Sequence, residues 1–479
     1  MKSTIVDNRH TRNSFRHMLE LRAVKLLWLL SLIAAFALAW YLSYAQALYA
    51  SAFSRRGNLA VIAFYAVLLF YFIRTYDGLN VSLNRVSEMV YSQTLAGLFT
   101  NAITYALICL LERRLPSAWP LLLCMVAQAL LSVLWSACAN KWYFRHFPPL
   151  KTVIIQGELT GYDLLIRKYD LHKKFEVIRT AYIDDYIEEG VELLNDAEAV
   201  FLVGLHSHER NQLIKYCVSE NIRVFIKPRL GDIIMDATEE MHIMHLPIKH
   251  LRRYNPKPEY RMIKRIFDIV SASLLFLLTS PIFLVTAIAI KAYDGGPVFY
   301  KQIRLTKDAR EFEVLKFRSM RADAEKDGVA RLSTGENDSR ITPVGRIIRK
   351  IRVDELPQLL NIIKGDMSVV GPRPERPEIA RKYEEELPEF KLRLQAKAGL
   401  TGYAQVYGKY NTTPYDKLCM DLMYIAHASV ALDLKLIFAT VKILFLPEST
   451  EGVAEGATTA MDYENAAGST ENDAETVVK

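Results

Sequence analysis

The chain has 479 residues, 51% of them hydrophobic, with a mean hydropathy of +0.08 and a formal net charge of +7. The length allows two or three domains, and the clustering of apolar residues excludes a simple soluble globule in favour of membrane segments. The basic excess fits flanks that face anionic lipid, and the lack of any base-reading motif argues against nucleic acid as a partner.

The first 25 residues are polar and basic, with Arg9, Arg12, Arg16 and Arg22. They are expected to stay in the cytoplasm, uncleaved, because the apolar run that follows exceeds that of a signal peptide. Residues 26–139 predict four transmembrane helices, over 26–47, 59–73, 94–111 and 119–139, each near the roughly 20 residues needed to span a bilayer. An even number of crossings returns the chain to the cytoplasm near Lys141 and Lys151.

Residues 140–248 alternate short apolar runs with amphipathic ones. The runs at 153–155, 176–180, 199–203 and 223–226 predict strands of a buried parallel sheet, with helices at 162–169 and 209–219. This is a Rossmann-like α/β domain, read as a regulatory or dimerisation unit. Gly157-Glu158-Leu159-Thr160-Gly161 lacks the GxGxxG spacing, which argues against a nucleotide there. His206, His208, His242, His245 and His250 fit no standard metal spacing. Five scattered cysteines read as reduced packing residues.

A basic linker over 249–265 leads into an apolar run at 266–290, interrupted by Ser280-Pro281. Pro281 cannot donate to the Leu277 carbonyl, so a kink is expected. Both flanks are basic. A helix that enters the membrane, breaks at Ser280-Pro281 and leaves on the same side obeys the positive-inside rule, whereas a crossing helix does not. Residues 291–447 read as a compact domain and 448–479 as a disordered acidic tail.

The chemistry concentrates between 316 and 375. A helix is predicted over 343–364, with Thr342 as N-cap, Pro343 at its first position and Gly365 as its stop. It carries Asp354 and Glu355 side by side among Arg346, Arg349, Lys350 and Arg352. The bland alternative is an exposed acid pair bonded to Lys350 and Arg352. Three neighbouring features favour chemistry instead. An alternating run at 312–317 predicts a strand that presents Lys316, with Arg318 just beyond it. Arg373 sits between two prolines, a low-entropy way to aim a guanidinium at phosphate. Lys409 follows a Thr401-Gly402-Tyr403 turn, and Asp421 lies on a later helix. Cations converging on an acid pair suit phosphoryl transfer.

The segments KRIFDIVSASLLFLLTSPIF, GPVFYKQIRL, EVLKFRSM, TPVGRIIRKIRVDELPQLLNIIKGDMSVVGPRPE, KAGLTGYAQVYGK and DLMYIAHASVALDLKLI resemble the bacterial sugar transferase family, the monotopic phosphoglycosyl transferases. The resemblance covers about residues 260–446. The upstream segments are similar to those of its large multi-domain members. It implies a mainly helical monotopic catalytic domain with a re-entrant membrane helix broken at Ser280 and Pro281.

The implied reaction moves a hexose-1-phosphate from a UDP-sugar, glucose or galactose by analogy, to undecaprenyl phosphate, with UMP released (EC 2.7.8 type). Asp354 matches the nucleophile that forms an aspartyl phospho-sugar, and Glu355 its dyad partner. Mg²⁺ is the implied metal, held by Asp354 and phosphate. Lys316, Arg318, Arg349, Arg352, Arg373, Lys409 and Asp421 are the expected substrate-binding residues. The implied location is the bacterial inner membrane, multi-pass, with the active site on the cytoplasmic face; a homodimer is expected because the α/β domain shows no evident ligand. The product would start exopolysaccharide, capsule or O-antigen assembly. An N-acetylated donor and a catalytically silent scaffold are the alternatives. Departures from the family pattern at Tyr403, Tyr407 and Lys397-Ala398-Gly399 bear on substrate preference rather than on the dyad.

Overall fold

A computed structural model of the chain describes residues 8–45, 56–157, 166, 171–321, 324, 340–408 and 412–444. The chain divides into two compact units between Lys227 and Pro228. Among the described residues, five helices are long and apolar enough to cross a membrane: Leu19–Tyr44, Arg56–Thr75, Val86–Glu112, Trp119–His146 and Pro258–Asp294.

In the first unit, α1 (Asn8–Ala39) runs into a π-helical turn at Trp40–Tyr44, followed by α2 (Arg56–Thr75), α3 (Val86–Glu112) and α4 (Trp119–His146). These helices turn Leu, Val and Ile outward, as lipid-facing helices do. Several of their buried polar groups pair across helices, while Ser92 Oγ and Thr104 Oγ1 have no hydrogen-bond partner among the described residues. Trp40 Nε1 donates to Asn58 Oδ1 at 3.0 Å, and Asn101 Nδ2 donates to Gln128 Oε1 at 3.0 Å. Gln128 Nε2 donates to Tyr65 Oη at 2.7 Å and to the Leu32 carbonyl at 3.1 Å, joining three helices at one residue. The Phe36 and Tyr65 rings stack at 3.8 Å beside it.

A parallel sheet follows, with β1 (Leu150–Gln156), β2 (Phe175–Tyr182), β3 (Ala199–Val203) and β4 (Arg223–Ile226) in the order β2-β1-β3-β4. The expected strands are all present, and the central pair is apolar because it is buried: Val153, Ile155, Val200 and Leu202 pack with Leu213 and Cys217 on one face, and Ile154 packs with Phe175 on the other. The expected helix at 209–219 is there as part of Ser207–Ser219. The one expected at 162–169 lies almost wholly outside the described residues.

The second unit opens with a short helix, Leu230–Asp236, whose Ile233 joins the core around Leu418, Leu422 and Leu436. A hairpin of Glu239–Ile243 and Leu246–His250 comes next. The long helix Pro258–Asp294 then runs through Pro281 as one 37-residue helix. Ser280 Oγ donates to the Leu277 carbonyl at 2.7 Å, the acceptor that Pro281 leaves without its backbone donor. Beyond it, Phe299–Leu305 pairs antiparallel with Glu311–Phe317, and Ser368–Val370 pairs parallel with Gly399–Thr401. Helices Pro377–Glu386, Pro414–Ala426 and Val430–Leu444 pack round the second pair. The acidic tail at 448–479 lies outside the described residues.

Both ends of the long helix are tied to this same unit. Near its start, Lys264 Nζ donates to Asp433 Oδ2 at 2.8 Å, Arg265 donates to the carbonyls of Ile362 and Ile363, and Asp268 Oδ1 accepts from Val369 N at 2.9 Å. At its end, Asp294 pairs with Arg318. The apolar face follows suit: Ala272 and Phe276 pack on Phe312, Val314 and Leu359, while Phe283, Ala287 and Ile290 pack on Phe317 and Ile348.

Candidate active site

The acid pair sits where the expected helix is interrupted. One helix over 343–364 was expected from the apolar periodicity; the chain instead forms Pro343–Lys350, a 3₁₀ turn at Val353–Glu355, and Gln358–Lys364. The break comes from Arg352, whose φ of 57° is left-handed and cannot continue a helix, and Pro357 sets the start of the next one. The ends behave as their residues dictate. Thr342 Oγ1 accepts from Gly345 N at 2.9 Å, and Gly365 stops the second helix with φ 102°. On a 3₁₀ turn, adjacent side chains diverge by about 120°, so the two carboxylates meet different surroundings.

Glu355 points into cations. Its Oε1 accepts from Lys316 Nζ at 3.0 Å and from Arg373 Nη2 at 2.7 Å. The exposed pair held by Lys350 and Arg352 is therefore not what forms: Asp354 is 8% exposed, and Glu355 bonds across the fold. Burial pushes the Glu355 carboxyl up, but Arg373 and Lys316 override it and hold it well below the usual range. Asp354 goes the other way. Burial, then the neighbouring Glu355 charge, push it up to about 6, against the pull of Lys316, Arg349 and Arg352. The dyad thus holds one fixed anion and one acid that titrates near neutrality.

Lys316 is carried by the strand Glu311–Phe317, which is locked to the helix after the dyad. Asn361 Nδ2 donates to the Glu313 carbonyl at 2.7 Å, and Leu315 N donates to Asn361 Oδ1 at 2.9 Å, so one amide side chain pairs with the strand edge as a backbone would. Arg373 rides on Pro372-Arg373-Pro374-Glu375, and each of these four carbonyls is held. Pro372 O accepts from Gly399 N at 2.9 Å and Arg373 O from Arg393 Nη2 at 2.8 Å. Pro374 O accepts from Arg304 Nη1 at 3.1 Å and Glu375 O from Leu305 N at 2.9 Å. A Cβ on Gly371 would come within 2.2 Å of the Lys397 carbonyl, so only glycine lets the loop approach the strand beside it.

Behind this loop lies a buried ionic cluster that sequence reasoning did not assign. Glu375 pairs with Lys417 and lies near Arg304 and Arg393, which hold its carboxyl down at about 2 against the effect of burial. Arg393 Nε donates to Asp421 Oδ2 at 2.7 Å, with both side chains almost fully buried. The one signal for Glu375 was its place directly after the Pro-Arg-Pro turn. Arg393 and Lys417 carry no local motif.

The expected substrate-binding residues fall into groups. Lys316, Arg349, Arg352 and Arg373 gather around the dyad. Arg349 Nη1 is buried without a hydrogen-bond partner among the described residues. Arg318 is buried against Asp294 and the Pro297 carbonyl, which makes it a clamp on the long helix. Asp421 holds Arg393 and so supports the loop from behind. Lys409 lies outside the described residues.

Residues 259–447 match the bacterial sugar transferase family. A UDP-glucose:undecaprenyl-phosphate glucose-1-phosphate transferase of Escherichia coli is 40% identical over 327 residues, which are 63% of this chain and 69% of that protein. The chain belongs to the bacterial sugar transferase family. A Caulobacter vibrioides protein of the same printed activity is 39% identical over 40% of this chain and 74% of its own length. A UDP-N-acetylgalactosamine-undecaprenyl-phosphate N-acetylgalactosaminephosphotransferase of Aeromonas hydrophila is 36% identical over 49% of this chain, and the match spans 55% of that protein. The family match covers the long helix, the dyad and the loop that carries Arg373, so the geometry above is this family's domain.

Proposed function

We propose that the protein is a phosphoglycosyl transferase that moves a hexose-1-phosphate from a UDP-sugar to undecaprenyl phosphate. The observation that carries this reading is the geometry of the dyad: a buried Asp354 beside a Glu355 held between Lys316 and Arg373. In the first step an Asp354 oxygen attacks the phosphorus that bears the sugar. The bond from that phosphorus to the bridging oxygen breaks, UMP leaves, and an acyl phosphate remains. In the second step a phosphate oxygen of the lipid attacks the same phosphorus and the Asp354 carboxylate is released. Lys316, Arg373 and Arg349, whose Nη1 has no hydrogen-bond partner among the described residues, face the charge that develops on the phosphate oxygens. Glu355 is too strongly held as an anion to serve well as a base. Its role in this reading is to orient Lys316 and Arg373.

Among the described residues, no group of three His, Cys, Asp or Glu is placed to cage a metal. Mg²⁺ needs no such cage, since it binds through one or two carboxylates and substrate phosphates. Asp354 would hold it, and the ion would supply charge neutralisation of the diphosphate.

Glucose is the preferred donor in this reading because the E. coli match extends well upstream of the family domain. The A. hydrophila relative keeps an N-acetylated sugar as the second reading. Attachment of both ends of the helix Pro258–Asp294 to one unit supports a re-entrant helix, with the site on the cytoplasmic face of the bacterial inner membrane. Such a product would start a surface glycan such as exopolysaccharide, capsule or O-antigen. A homodimer is part of the proposal, and light scattering in detergent tests it. UMP release from a panel of UDP-sugars, with Mg²⁺ and undecaprenyl phosphate, tests the reaction. Release from UDP-glucose above all others is expected. No release from any donor would leave a silent scaffold.

A further inference from the structure

The N-terminal helices hold a charged side chain that is shut away from water and that this chemistry does not use. Glu112 is the last residue of α3, and its side chain is 2% exposed. Arg114 Nε donates to its Oε2 at 2.9 Å, while Oε1 is buried with no hydrogen-bond partner among the described residues. A buried carboxylate oxygen without a donor is costly, so the site is built for a group that brings one.

The surroundings define that group. Glu112 lines a cavity of about 310 Å³ with Tyr44, Arg114, Pro116 and Ser117. The two nearby phenols are committed elsewhere: Tyr44 Oη donates to the Ser117 carbonyl at 2.6 Å and Tyr105 Oη to the Pro116 carbonyl at 2.8 Å. Arg114 and Leu115 also line a second cavity, of about 600 Å³, whose wall is made by Ala106, Cys109 and Leu110. Leu110 is 76% exposed and Leu115 85%. An acid pocket, a guanidinium and an apolar groove thus follow one another at the end of a membrane-length helix, the level at which lipid headgroups sit.

We propose that this is a binding site for a phospholipid with a primary ammonium headgroup. The ammonium donates to Glu112 Oε1, the phosphate meets the outer nitrogens of Arg114, and an acyl chain lies along Leu110 and Leu115. A lipid without an amine leaves Glu112 unpaired, and a quaternary ammonium has no N–H to donate.

The test uses the full chain, delipidated in detergent, and native mass spectrometry with phosphatidylethanolamine, phosphatidylcholine and phosphatidylglycerol at equal concentration. Phosphatidylethanolamine is expected to bind about tenfold better than either of the others, the worth of a charge-assisted hydrogen bond. Glu112→Gln is expected to bring the three within about twofold of each other while UMP release stays at the wild-type rate. Arg114→Gln, at an exposed side chain, is expected to weaken all three and keep the preference for the amine. Equal binding of the three lipids by wild type, or a preference that survives Glu112→Gln, would overturn the proposal. Displacement of the lipid by free phosphoethanolamine at equal concentration would overturn its lipid part, since the groove would then contribute nothing.

Discussion

The two units differ in whether they bury charge. The N-terminal helices bury amides and hydroxyls: Asn58, Gln93, Asn101, Gln128, Ser132 and Ser136. The catalytic unit buries neutral groups too, Gln358, Asn361 and Ser368 among them, but adds ions: Asp354, Asp366, Arg393, Asp421 and Asp433. Where lipid surrounds a helix, a charge has no water to return to, and neutral groups that satisfy each other are the affordable choice. Where a phosphate must be met, neutral groups are too weak, and cations are kept in place by buried anions behind them. Glu112 departs from the first pattern at the bundle's end, which is what singles it out as a site.

The comparison breaks most sharply at the dyad. Asp354→Asn should lower UMP release by about 10⁴-fold, because the proposed nucleophile is gone while its shape remains. Wild-type UMP release should rise with pH through about 6, as Asp354 becomes the carboxylate.

The next effect is on folding. Arg393→Met leaves Asp421 buried and unpaired, and should destabilise the catalytic unit by about 3–5 kcal/mol in denaturant melts. Adding Asp421→Leu should restore much of that loss.

Asp354→Asn carries a second, opposite consequence. A carboxyl raised in the fold is most stabilising when protonated, so its contribution is present below the unfolded value of 3.8 and lost as pH rises through about 6. The variant should therefore melt above wild type at pH 8, by about 1–3 kcal/mol, and match it near pH 3. Equal melting at both pH values would mean that Asp354 carries no strain.

The smallest effect belongs to the bundle. Gln128→Leu removes two donors and an acceptor from a neutral network, and should cost about 1 kcal/mol with UMP release unchanged.

Much of this was legible in the residues. Local chemistry marked Thr342 and Gly365 as helix ends, and alternation marked the strand that carries Lys316. Continuous apolar runs marked the parallel sheet. The helix break at Arg352 was not legible, because a left-handed arginine has no propensity signal and the apolar face continues on both sides of it. Arg318 and Asp421 read as substrate contacts because their charge is visible in the sequence, while the partners they meet in the fold, the partly exposed Asp294 and the buried Arg393, lie 24 and 28 residues away in the chain. The Glu375 cluster was hidden for the same reason: it is assembled from four segments and exists only once they pack.

The central claim is that Asp354 carries the sugar phosphate between donor and lipid. The most direct measurement is to mix the protein with UDP-glucose labelled in the sugar, in the absence of lipid acceptor, quench in acid, and locate the bound label by peptide mapping. The account predicts UMP released in step with label on the peptide that contains Asp354, and neither from Asp354→Asn. UMP that appears only when undecaprenyl phosphate is added, with no label on the protein, would mean direct transfer and would contradict it.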